Sequence, residues 1–132
     1  MIEAKSLVSN LIERIKADDF FQNTSVCRAY GTELKPTCPA GAVIVCGTVS
    51  ADIQNAAIEQ DIKAGSVTLF ADIYVPWNMK NYDMQQAVAR ICAAAYSDNA
   101  VGVKLNEARS HKKAQCIMQR AEITYSDVFD LI

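Results

Sequence analysis

The chain has 132 residues, 51% apolar and 21% charged, a composition that excludes a wholly disordered polymer and fits one domain, residues 1–132, with a core of its own. Its 13 lysines and arginines against 15 aspartates and glutamates give a net charge of −2, which excludes a global attraction to nucleic acid or to an anionic membrane, though not a local basic patch. No apolar run approaches the ~20 residues of a membrane helix, and the charged N-terminus lacks the apolar block of a signal peptide, so the sequence predicts a cytoplasmic protein.

In chain order, residues 4–16 read as an amphipathic helix. Leu7, Val8, Leu11, Ile12 and Ile15 form one stripe, and Ser6, Asn10, Glu13, Arg14 and Lys16 take the rest. Burying each stripe residue contributes on the order of 1.5–3 kcal/mol before ordering entropy is charged. Asp18 and Asp19 break the pattern, and Phe20 and Phe21 can fold back on the helix. A short strand is predicted at 26–30, ended by Gly31, then a loop at 32–41 with Pro36, Pro39 and Gly41. Residues 42–49 are β-branched and read as a central strand in which Gly47 marks a bulge or a close backbone approach. Residues 50–64 fit two descriptions: a weak helical stripe of Ile53, Ala57, Ile58 and Ile62, or the two edges of a long hairpin arm.

The clearest element is 67–75. Val67, Leu69, Ala71, Ile73 and Val75 alternate with Thr68, Phe70, Asp72 and Tyr74, which defines a strand with one dry face. Pro76 has no N–H to donate and stops the ladder. Asp83 is placed to cap a helix over 83–96, with Gln86 as capping-box partner and Met84, Val88, Ile91 and Ala95 as its buried stripe. Val101, Val103 and Leu105 alternate as a strand, Arg109 to Lys113 form a basic turn, residues 114–125 are the last strand and 127–132 a tail. The expected fold is α+β: a mixed or antiparallel sheet with helices on one face, in the order α-β-β-β-α-β-β.

Catalytic signatures are missing from the sequence. His111 is the only histidine and sits among cations, which disfavour its protonation and repel a metal. The five cysteines, Cys27, Cys38, Cys46, Cys92 and Cys116, form no CxxC, match no zinc-finger spacing and cannot all pair within one chain, so reduced thiols are the default. A Cys–His dyad needs the fold to bring the two together, and Cys116 is the nearest thiol in sequence to His111. The carboxylates at Asp18–Asp19, at Asp52, Glu59 and Asp61, and at Asp127 and Asp130 read as solvated charge. No phosphate loop, GxSxG or HExxH occurs. No catalytic residue, cofactor site or metal site is therefore expected.

Two features point to surfaces instead. The basic turn with Arg109, Lys112 and Lys113 is either a solvated hairpin tip or a contact for phosphate or an acidic neighbour. Phe70, Tyr74, Trp77 and Tyr82 concentrate the aromatics around Pro76, either as a cap on the core or as interface anchors.

The N-terminal stripe from Leu7 to Ile15, the joint from Phe70 through Trp77 into the helix ending at Tyr96, and the closing strand from Cys116 to Tyr125 together resemble small bacteriophage tail-completion proteins, notably tail terminators. The resemblance is topological and covers most of the chain. It implies a structural protein without catalytic residues that self-assembles into a ring, with a hexamer as the family expectation. Its implied partners are other copies of itself and the tail-tube and head-connector proteins, with nucleic acid met at most indirectly and no membrane. Its implied location is the cytoplasm during assembly and the virion tail if phage-encoded. Residues 50–64 would then be an inter-subunit arm, with Ile53 and Ile58 against a neighbour. Phe70, Tyr74, Trp77, Arg109, Lys112 and Lys113 complete the candidate interface. Two other classes remain: a small α+β protein-binding or accessory module dimerising through its open sheet face, and a small enzyme using Cys and His.

Overall fold

A computed structural model describes residues 2–3, 6–29, 41–57, 62–79, 81–113 and 115–129. In chain order the elements are β1 (Ile2–Glu3), α1 (Leu7–Lys16), β2 (Ser25–Arg28), β3 (Val43–Ala57), β4 (Ile62–Pro76), α2 (Met84–Ser97), β5 (Gly102–Leu105), β6 (Arg109–His111) and β7 (Cys116–Phe129). The alternating segment recognised in the sequence lies in β4, which is paired on both sides: antiparallel to β3 and antiparallel to β7. The described strands form a single sheet in the order β1-β7-β4-β3-β2, with β5 and β6 also on the outer side of β7. Parallel pairs β1–β7 and β2–β3 make it mixed. The class is α+β, as expected.

Period two sorts the side chains. Val67, Leu69, Ala71, Ile73 and Val75 share one buried cluster with Ile44, Cys46, Ala121, Ile123 and Tyr125 of the neighbouring strands. The helices close the same cluster: α1 contributes Leu7, Leu11 and Ile15, and α2 contributes Ala87, Val88, Ile91 and Ala95. Alanines let α2 lie close to its neighbours. Asp83 caps it, its Oδ1 accepting from Gln86 N–H at 3.0 Å. Its end is a Schellman closure: Asn99 takes φ 70°, Ala100 N–H bonds Ala95 O at 3.1 Å and Asn99 N–H bonds Tyr96 O at 3.2 Å. Phe21 is buried after α1, and Phe20 meets Phe21 and Tyr82 edge-on.

Several boundaries move. The helix begins at Leu7 rather than residue 4, and a two-residue strand, β1, precedes it. The tail expected at 127–132 is strand as far as Phe129: Val128 is fully buried, opposite Ile2 on one side and Gly65 on the other. Residues 2–3 pair with 128–129, and 128–129 also pair with β4, which extends the sheet at both places. The strand placed at 26–30 ends at Arg28, and residue 30 lies outside the described residues. Arg109 to His111, read as turn, is the short strand β6. Within 50–64, residues 50–57 and 62–64 are strand, so the hairpin description holds for them and the helical one does not. Register shifts between Thr48 and Ser50 and between Asn55 and Ala57 bend this hairpin. Gly47 is the close approach: a Cβ there would lie 2.7 Å from Phe70 Cζ and 2.8 Å from Ala29 Cβ.

Ile91 is fully buried on the α2 face that meets the core. Ile91→Asp should therefore lower stability by about 4 kcal/mol or more, since an unpaired carboxylate enters an apolar site. Urea unfolding measures this, and an unchanged midpoint would contradict the packing.

Candidate assembly interface

The second face of β4 differs from the first. Phe70, Asp72 and Tyr74 point there, with Arg120, Glu122 and Met118 opposite them on β7. Asp72 is only 3% exposed. Its carboxylate accepts two bonds from Arg120, Nε at 2.7 Å and the terminal Nη2 at 2.9 Å. The Arg120 guanidinium also lies over the Phe70 ring, 4.4 Å from its centroid. Phe70 is thus enclosed by Arg120 and by the space Gly47 leaves. The hydrogen bond to Asp72 is the main reason that the Arg120 pKa rises above its ordinary value. Arg120 had no signal in the sequence, because its partner is 48 residues away and only the β4–β7 register joins them.

The expected interface residues fall into two groups. Ile53 belongs to the first, in β3 opposite Gly65, while Ile58 lies outside the described residues. Beside Ile53, residues 48–52 are exposed on both faces of β3. β2 pairs with β3 from Val43 to Cys46, and among the described residues no strand pairs with the outer edge of β3 beyond that point.

The second group gathers at the opposite end of β4. Met118 sits between Tyr74 on one side and Arg109 on the other, so those three make one row across the sheet. Trp77 N–H bonds Gln115 O at 3.0 Å, and Gln115 N–H bonds Lys112 O at 3.2 Å, which brings the Trp77 turn to the base of the basic hairpin. Trp77 is 47% exposed, and Arg109, Lys112 and Lys113 are exposed. Tyr74 is half-buried, and burial followed by the Asp72 charge raises its phenol pKa. Phe70 is the exception, only 7% exposed and covered within its own chain, while Tyr82 packs on Phe20.

The thiols behave as core groups. Burial, reinforced by Cys27 and Asp72, pushes the Cys46 thiol up to about 12, the reverse of an activated nucleophile. Cys92 is partly buried and shifts in the same direction for the same leading reason. Cys116 is fully buried and is the direct register partner of His111. Cys38 lies outside the described residues. Among the described residues no group of three His, Cys, Asp or Glu side chains is placed to hold a metal, and no helix is long and apolar enough to cross a membrane.

No protein-family model matches the chain, and no curated protein is significantly similar to it.

Two outcomes follow from this geometry. Arg120→Met strands a buried carboxylate and should cost about 3–5 kcal/mol, whereas Asp72→Leu combined with Arg120→Met should recover most of that loss; urea titrations of the two variants decide it, and equal losses would show that the pair is not coupled. Cys46 and Cys116 should react slowly with an aromatic disulfide reagent at neutral pH and rapidly in denaturant. Fast native reaction at Cys46 would mean a stabilised thiolate and would revive the enzyme reading.

Proposed function

We propose that this chain is a ring-forming structural subunit of the phage or prophage tail-completion type, a tail terminator that closes the tail tube and meets the head-side connector. The observation that carries the reading is the long β3–β4 hairpin. Its two strands are 15 residues each, about 50 Å at ~3.3 Å per residue, and residues 48–52 of β3 are exposed on both faces. A strand of this length, unblunted by lysine or proline over 48–52, is a natural pairing surface for another chain. The second group of candidate residues, Tyr74, Trp77, Arg109, Lys112 and Lys113, lies at the far end of the same strand pair. Two different surfaces at opposite ends of one subunit suit heterologous, head-to-tail contacts, which close into rings when the rotation permits.

A dimer through the open sheet face is less well supported. Phe70 and Asp72, at the middle of that face, are already buried within the chain and offer little apolar surface to a partner.

Sedimentation across a concentration series, with and without purified tail tubes, tests the proposal. The expected result is a ring, with a hexamer as the reference size, formed at high concentration or on the tube. Replacing both Ile53 and Ile58 by Ser should weaken assembly while leaving the melting temperature of the subunit nearly unchanged. A persistent monomer that does not bind tubes overturns the proposal, and a stable dimer favours the accessory-module alternative. A ring that survives the double substitution keeps the function and removes these two isoleucines from the interface.

A further inference from the structure

The charges of the described residues are unevenly satisfied. Arg14, Arg90 and Arg120 are ion-paired with Asp98, Asp18 and Asp72, and Arg28 donates to Ser9. The side chains of Lys104, Arg109, Lys112 and Lys113 are exposed and make no ion pair or hydrogen bond among the described residues, as is also true of Lys16 on α1. The first four lie along β5, β6 and the turn that follows, on the outer side of β7. Register places Lys104 opposite Glu122 and Arg109 opposite Met118, on the open face of the sheet. Glu122 already accepts a bond from Asn106 Nδ2 at 3.1 Å. Glu107, exposed in the cleft it shares with Arg109 and Arg120, is the one further carboxylate there.

The other face of this edge is apolar and uncovered. Val103 packs on the core, but Leu105 on the same face is 46% exposed, and Val101, just before the strand, is 59% exposed. Ile117 of β7 and Tyr96 at the end of α2 are exposed as well. β5 pairs with β7 and with no other strand among the described residues. Asn106 N–H bonds Arg120 O at 2.9 Å, and the alternation of an antiparallel ladder then turns the backbone N–H and C=O of Val103 and Leu105 away from β7. The edge thus combines free backbone groups with cations on one side and apolar side chains on the other.

We propose that the outer edge of β5 docks an extended segment of a partner protein in which acidic residues alternate with apolar ones. Strand addition would supply backbone hydrogen bonds. Alternate side chains of the added strand would then reach Lys104 and Arg109 on the open face, and Leu105 on the other. A single lysine on a short edge strand can serve merely to deter pairing. That role does not account for two large apolar residues exposed beside it. Nucleic acid is the poorer occupant, because a phosphate backbone would leave those apolar groups uncovered. The site uses none of the β3–β4 hairpin; it shares only Arg109 with the basic end of the proposed ring interface, so its test rests on Lys104 and Leu105.

Fluorescence anisotropy with a labelled peptide of alternating Glu and Val residues tests it on the full chain. A peptide of the same composition in two blocks and a short DNA duplex serve as competing probes. The alternating peptide should bind best. Lys104→Glu should weaken it by about tenfold, Leu105→Ser should weaken it as well, and Lys16→Glu on α1 should change nothing. Amide hydrogen exchange at Val103 and Leu105 should slow in the complex, a readout that charge attraction alone would not give. Equal binding of the block peptide, tighter binding of DNA, or no binding of the alternating peptide would each overturn the proposal. So would self-association of the protein that disappears in the Lys104→Glu, Leu105→Ser variant, since the edge would then belong to a second copy.

Discussion

The register between β4 and β7, locked where Asp72 meets Arg120, is the constraint on which the rest of this structure depends. A slip of one residue would turn the apolar set of β4 outward and drive Asp72 into the core. The ion pair is bidentate only in the observed alignment, and its two members are direct cross-strand partners. A buried pair of this kind adds little net stability over well-packed apolar residues. What it does here is specify alignment, while the guanidinium also closes the top of Phe70. Gly47 completes the arrangement from the other neighbouring strand, since any side chain there would strike the same ring.

With that register set, the dry face has a fixed shape and the helices have one way to cover it. Two polar clasps hold α1 beside α2. Arg14 Nε reaches Asp98 at 3.2 Å and its Nη1 donates to Ser97 at 3.0 Å, while Arg90 reaches Asp18 at 3.5 Å. Each clasp joins an arginine within one helix to an aspartate just past the end of the other, where opposite charge is already partly guided by the packing. Both arginines are nearly half exposed, so the clasps orient the helices more than they stabilise the fold. Tyr125 lies beneath, its hydroxyl buried and without a partner among the described residues, and burial followed by the Asp98 charge raises its pKa.

Among the described residues three surfaces are left unfinished: the outer edge of β3 beyond Cys46, the basic hairpin with Trp77 at the far end of β4, and the outer edge of β5. Strand edges and an exposed tryptophan are surfaces suited to contact with other chains, and burial disfavours the thiolate at Cys46. The proposed assembly role rests on these surfaces.

Period two in 67–75 and the 3.6-residue stripes of α1 and α2 were legible from the sequence, because each reports burial of a face by residues close together in the chain. The Asp83 cap and the stop at Pro76 were legible for the same local reason. The ends of the chain were not: Ile2 is strand through pairing with Val128, and Val128 through pairing with both Ile2 and Gly65, and nothing within five residues of either says so. The hairpin at 50–57 and 62–64 was ambiguous in sequence, since its isoleucines fit either period, and the ladder between β3 and β4 decided it. Among the interface candidates, the basic turn and Trp77 stayed at the surface as composition suggests. Phe70 was drawn inside by Arg120 and Gly47, and the paired edge of Lys104 and Leu105 emerged only once β5 was laid on β7. Residue type and spacing settle which side chains must leave water; pairing between distant strands settles which partner each one finds, because that partner is chosen by register and not by neighbourhood in the chain.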